Sequence, residues 1–161
     1  MAKACSTRTS CFHTIVAAFL ALALAGCASG PAPIPSRGKI IASSHINPDP
    51  EGRPSPVVLR VYELRAADVF RSADFFALYR NSKQVLGRDL LAWQEFELRP
   101  GEVRDFTRHL PVGTRFVGVV AAFRDLDRAR WRGLIPITGK SKVNLQIRLE
   151  RLAVSVSAGK H

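Results

Sequence analysis

Cysteine is scarce in this 161-residue chain: Cys5, Cys11 and Cys27 all lie within the first 27 residues, and none follows. From residue 28 onward that excludes a disulfide framework, a thiolate metal site and a thiol nucleophile. Acids are few as well, 13 against 24 Lys and Arg, so the chain carries a formal charge of +11. The sequence has no HExxH and no EF-hand spacing, which removes the recognisable metal motifs. It also has no GxSxG nucleophile turn. His45 and His109 lie in strand-like segments without a nucleophile motif beside them, and His161 is the last residue. Asp125 and Asp127 form a carboxylate pair, but each has an arginine neighbour within Arg124–Arg130, and local ion pairing accounts for both. Catalytic, metal-ligating and cofactor-binding residues are therefore all expected to be none, and the chain does not read as an enzyme. The apolar run from Ile15 to Ala25 is too short to span a bilayer as a helix.

What that run does resemble is the core of a secretory signal. Lys3 and Arg8 precede it, and Leu24-Ala25-Gly26-Cys27 closes it. These four residues form a lipobox, the pattern cut by the bacterial lipoprotein-processing machinery. Residues 1–26 are accordingly expected to be removed, leaving Cys27 with a diacylglycerol on its thiol and an acyl chain such as palmitate on its amine. Two buried chains already anchor a protein stably, at about 0.8 kcal/mol per buried methylene. Ala28, in place of an Asp, directs such a lipoprotein to the outer membrane, on its periplasmic face. The mature chain would keep 135 residues, one domain by length, and a charge of +9. Its arginines are dispersed, with no lysine-rich block and no interleaved aromatic platform, so nucleic acid is not the expected partner.

Residues 27–38 read as the lipidated cysteine and a Pro/Gly/Ala/Ser-rich tether, and 39–161 as the folded domain. The first strand is expected at Lys39–Ile46. Four prolines then fall in the ten residues from Asn47 to Pro56, which forbids helix and ladder pairing there and makes the connection long for a hairpin. Val57–Leu64 reads as a strand. Ser72 is a candidate cap for a helix beginning at Ala73, with Phe75, Phe76, Leu78 and Tyr79 pinning it to a sheet. Glu95–Leu98 and Val103–Leu110 flank Arg99-Pro100-Gly101-Glu102, which suits a type II turn. Phe96, Leu98, Phe106 and Leu110 are expected to face inward. Phe116–Phe123 is apolar throughout, as in a central strand covered on both faces. Trp131–Ile137 is a further strand candidate. Val143, Leu145, Ile147 and Leu149 alternate with polar residues, and the phase slips at Glu150-Arg151, where a bulge or break belongs. About seven short strands with turns between them indicate a mainly β fold, an antiparallel β-sandwich with one or two short inserted helices.

Several stretches carry a resemblance to a known family. They are RPSPVVLRVYEL from Arg53 to Leu64, FRSADFFAL from Phe70 to Leu78 and LGRDLL from Leu86 to Leu91, followed by LRPGE from Leu98 to Glu102 and VAAFRDLDRARWR from Val120 to Arg132. With the lipobox, this series resembles the outer-membrane lipoprotein of the type VI secretion system, the TssJ family, also called VasD or SciN. The resemblance implies a transthyretin-like sandwich facing the periplasm, bound to the periplasmic domain of TssM and, through it, indirectly to TssL. In that family the loop between the first two strands makes the contact. Here that loop is Asn47, Pro48, Asp49, Pro50, Glu51, Gly52, Arg53, Pro54 and Ser55. Its prolines restrain it before docking, which lowers the entropy lost on binding, and Glu51 and Arg53 offer charge complementarity. The alternative reading is a lipidated periplasmic binding module for a small apolar ligand or a cell-wall component.

Overall fold

The computed structural model describes residues 32–138 and 142–159. The signal peptide, Cys27 and the first part of the tether lie outside the described residues. Eight strands and two helices follow in order: β1 Ile34–Ala42, β2 Val57–Leu64, α1 Asp68–Ser72, α2 Phe75–Leu86, β3 Leu90–Leu98, β4 Val103–Leu110, β5 Phe116–Ala121, β6 Arg132–Pro136, β7 Val143–Glu150 and β8 Ala153–Gly159. A single 3-10 turn, Gly87–Asp89, joins α2 to β3.

The strands form two four-stranded sheets, ordered β4-β1-β7-β8 and β3-β2-β5-β6. All pairings are antiparallel except β1 with β7, which run parallel. The sandwich core lies between the sheets, where Ile40, Leu59, Val119, Ile147 and Leu149 are fully buried. Each such aliphatic side chain contributes about 1.5–3 kcal/mol by leaving water. Strands β2 and β5 are covered on both faces, as the unbroken apolar run of β5 requires. Val57, Leu59 and Val61 of β2 enter the core, whereas Tyr62 and Leu64 join a second cluster with Phe70, Phe75 and Leu78 beneath the helices. Gly118 of β5 belongs to this contact: a Cβ there would stand 2.5 Å from the Phe70 ring.

Helix α2 is held to the sheet by polar contacts too. Its backbone departs from helical values at Asn81. The Tyr62 hydroxyl donates to the carbonyl of Leu78 at 3.2 Å, and the Arg60 guanidinium donates to that of Tyr79. Arg60 is stacked on the Tyr79 ring at 4.0 Å and paired with Glu95 at 2.7 Å. A kink exposes carbonyls that a continuous helix satisfies internally, and here two side chains of β2 bond carbonyls in the turn before it.

Several local expectations change. The strand expected from Lys39 begins at Ile34 and ends at Ala42, so Ile34–Gly38 of the expected tether is strand. Pro35 is tolerated because it pairs only with β4, before the parallel pairing with β7 begins at Ser36, in keeping with proline at strand starts. His45 consequently sits in a turn. Ser72 ends α1 and donates back to the Asp68 carbonyl, while Asp74 caps α2, its carboxylate accepting from the Ala77 N–H at 2.9 Å. Phe76 is 52% exposed, although Phe75 and Leu78 are buried as expected. The phase slip after Glu150 is a two-residue turn, Arg151-Leu152, that sends β8 back along β7.

Strand direction sorts the connections to two poles. The start of β1 lies beside the end of β4 and the start of β7, so the chain enters the domain at one pole. The connections 43–56, 99–102, 122–131 and 151–152 gather at the other: Ala42 N–H donates to Glu102, Ser43 N–H to Leu149 and Ala122 N–H to Val58. Nine residues of β1 separate the poles, roughly 27 Å of strand.

Candidate functional site

The distal pole is built around Asn47. This residue is 3% exposed and adopts φ +47°, a conformation that Asn tolerates better than most residues. Its N–H donates to the Arg151 carbonyl at 2.9 Å. The side-chain amide donates to the Pro56 carbonyl at 2.6 Å, and its oxygen accepts from the Arg124 N–H at 2.7 Å. The Ser55 hydroxyl donates to the Asn47 carbonyl and accepts from Arg124 Nε at 3.1 Å. The Asn47 side chain therefore ties the β1–β2 and β5–β6 connections together, and its backbone N–H adds the β7–β8 turn. Ile46, fully buried beside it, roots the loop in the core.

Beyond Asn47 the loop folds on itself. Gly52, at φ +82°, donates its N–H to the Asp49 carbonyl, and the Asp49 N–H donates to the Arg53 carbonyl. The Asp49 carboxylate accepts from the Arg53 N–H at 2.8 Å and from Arg53 Nε at 2.7 Å, while Arg53 also reaches Glu51 at 3.2 Å. Burial pushes the Asp49 carboxyl upward, but the hydrogen bonds and charge of Arg53 outweigh it and hold the group below the usual carboxylate range. Pro50, Glu51, Gly52, Arg53 and Pro54 are exposed, Pro48, Asp49 and Ser55 are half-buried, and Asn47 is buried. The expected loop thus divides into an internal frame, Asn47 and Ser55, and a presented tip, residues 48–54.

The structure also brings in residues that sequence reasoning set aside. A cleft of about 500 Å³ lies between the loop at residues 48–50 and the β5–β6 connection at residues 124–128, with Phe76 on its wall. Asp125 is held below the usual carboxylate range chiefly by the Arg128 side chain, which pairs with it. Asp127 makes no ion pair among the described residues, so local pairing explains one member of that couple and not the other. The signal available in sequence was the break from apolar β5 into RDLDRAR, which marks a second surface loop next to the first. His109 is exposed on β4. The His45 ring lies 3.0 Å from the Ser44 hydroxyl, an exposed contact between sequence neighbours with no third group to orient the imidazole as a catalytic pair requires. No group of three His, Cys, Asp or Glu capable of holding a metal occurs among the described residues.

One buried ion pair was not anticipated. Glu63 of β2, 1% exposed, meets Arg108 of β4 at 2.9 Å across the two sheets, and Arg108 also donates to Gln94. Burial pushes the Glu63 carboxyl upward, and Arg108 offsets only part of the effect.

Comparison with known proteins places this architecture. Residues 36–152 match the model of the type VI secretion lipoprotein family, described as VasD, EvfM and TssJ. The type VI secretion lipoprotein TssJ1 from Pseudomonas aeruginosa is similar, with 40% identity and a TM-score of 0.76 over 80% of this chain and 98% of that one. Serratia marcescens Lip, a membrane-bound component of the type VI secretion system, shares 26% identity with a TM-score of 0.69 over 80% and 98%. A chain of a type VI membrane complex shares 26% identity with a TM-score of 0.67 over 77% and 98%. A chain in a structure of the TssM C-terminal domain from EAEC shares 26% identity with a TM-score of 0.61 over 75% and 98%. No match arises among curated proteins. With its eight-stranded sandwich and a family match running from the first strand to the last hairpin, the chain belongs to the type VI secretion lipoprotein family.

Proposed function

We propose that this lipoprotein, acylated on Cys27 and held on the periplasmic face of the outer membrane, docks the trans-envelope secretion complex by binding the periplasmic domain of TssM through the loop Asn47–Ser55. The observation that carries this reading is the polarity of the sandwich. The loop stands at the pole opposite the point where the chain enters from its tether, about 27 Å away, facing whatever approaches across the periplasm. Its tip is exposed, yet its frame is fixed by Asn47, by the Asp49–Arg53 pair and by three prolines. A surface ordered in advance loses little entropy on docking. The role is one of attachment without turnover, needing no cofactor beyond the covalent lipid, and TssL is reached only through TssM. The alternative, an apolar ligand between the sheets, finds that space filled by Ile40, Leu59, Val119 and Ile147.

The test is co-elution of purified residues 28–161 with the periplasmic domain of the co-encoded TssM on size exclusion. A shared peak supports the reading; separate elution of two folded proteins at micromolar concentration contradicts it.

A further inference from the structure

The entry pole has a charge distribution unlike that of the distal pole. Arg65, Arg88, Arg115 and Lys142 are all exposed there. They are brought together by the fold: Arg65 N–H donates to the Asp89 carbonyl, and Arg115 N–H to that of Leu64. Lys142 immediately precedes Val143, the partner of Ser36 near the start of β1. None of these four cations has a carboxylate partner among the described residues. The acids nearby are Asp68, already paired with Arg71 at 3.7 Å, and Asp89. The distal pole, by contrast, sets Asp49, Glu51, Glu102, Asp125, Asp127 and Glu150 beside its arginines and pairs four of them. Val112, 43% exposed, stands at the tip of the turn between β4 and β5 on the entry pole.

We infer that the entry pole is a docking surface for anionic lipid headgroups, seating the domain on the bilayer that holds its anchor. The inference rests on the acylation of Cys27 proposed above. Six residues separate Cys27 from Ile34, and that length of chain reaches at most about 25 Å. The cationic pole is therefore confined close to the headgroup layer whenever the lipid is inserted. Cations near an anionic bilayer each strengthen association by about fivefold, and the effect decays within a Debye length of roughly 8 Å. Four unpaired cations on one rim, with Val112 at the tip, fit lipid phosphates. Seating this rim on the membrane also turns the distal loop directly away from it.

The test uses residues 28–161 with Cys27 absent, since every described strand and helix lies between Ile34 and Gly159. Sedimentation with vesicles of phosphatidylethanolamine and 30% phosphatidylglycerol should show binding that is lost in 0.5 M salt and on pure phosphatidylcholine. Joint Arg65→Gln, Arg88→Gln and Arg115→Gln substitution should lower the partition coefficient by about a hundredfold. Arg99→Gln, Arg148→Gln and Arg151→Gln, which change the net charge equally away from this rim, should leave it within about threefold. No binding to the anionic vesicles, an equal loss in both variants, or capture by purified peptidoglycan sacculi without capture by vesicles would each overturn the inference. Intact-mass analysis of the mature protein separates the two readings. An unacylated Cys27 defeats the anchor, whereas an acylated Cys27 with no headgroup binding defeats only the seating surface.

Discussion

Replacing Asn47 should damage the whole domain more than any other change in the distal loop. Asn47→Ala removes the amide that donates to the Pro56 carbonyl and the oxygen that accepts from the Arg124 N–H. Each loss costs at least about 1 kcal/mol where the orphaned group has no other partner. Alanine must also take a φ of +47°, at roughly 1 kcal/mol. The sum is about 3 kcal/mol, which for a domain of this size lowers Tm by roughly 10 °C. Asn47→Gly loses the same hydrogen bonds but not the conformational tolerance, so it should retain about 1 kcal/mol more than the alanine variant. Urea unfolding of residues 28–161 measures both. Equal midpoints for Asn47→Ala and the parent, or a glycine variant less stable than the alanine one, would show that this side chain does not hold the β1–β2 and β5–β6 connections together.

Other substitutions probe other parts of the sandwich. Gly38 pairs with Phe106, and an added Cβ would stand 2.0 Å from that ring, so Gly38→Ala should cost about 2 kcal/mol through overpacking. Combining it with Phe106→Ala should cost less than the sum of the two changes in thermal unfolding. Asp74→Ala should lose about 1 kcal/mol with the α2 cap, visible as a lower urea midpoint, and Asp74→Ser should recover most of it. The Glu63 carboxyl titrates above its ordinary value when folded. Its contribution is therefore full below the unfolded pKa and is lost as pH rises through the folded one. Glu63→Gln should match the parent in acid and gain on it toward neutrality, read from denaturant midpoints between pH 3 and 7.

Much of the sandwich was legible because its strongest signals are local. The strict alternation in β7 and the apolar run in β5 each specify a face or faces to be buried, and β2, β4 and β7 begin and end where the residue pattern changes. Arg99-Pro100-Gly101-Glu102 forms the expected turn, with Gly101 at φ +77°. What escaped was set by tertiary context. Pro35 and Gly38 suggest a tether, but β1 is stabilised by β4 and β7 on its two sides, partners remote in sequence. That parallel β1–β7 pairing has no local mark. Ser72 and Asp74 are both good caps, and the choice depends on where Phe75 and Leu78 must point. At the site, the length and prolines of Asn47–Ser55 marked the loop. Its division into frame and tip did not show, because Asn47 acts through Arg124 and Arg151, far along the chain. Glu63 and Arg108 meet across the sheets, 45 residues apart, beyond the reach of any periodicity.

The most direct test of the docking account is calorimetric titration of residues 28–161 against the periplasmic domain of TssM, with the loop native and with residues 48–54 replaced by Gly and Ser. Asn47 and Ser55 stay in place so that the frame holding Arg124 survives. The account predicts binding by the native protein and a loss of at least a hundredfold in affinity for the replaced loop, with both proteins equally folded. Full affinity with the replaced loop would contradict it and move the contact to another part of the sandwich.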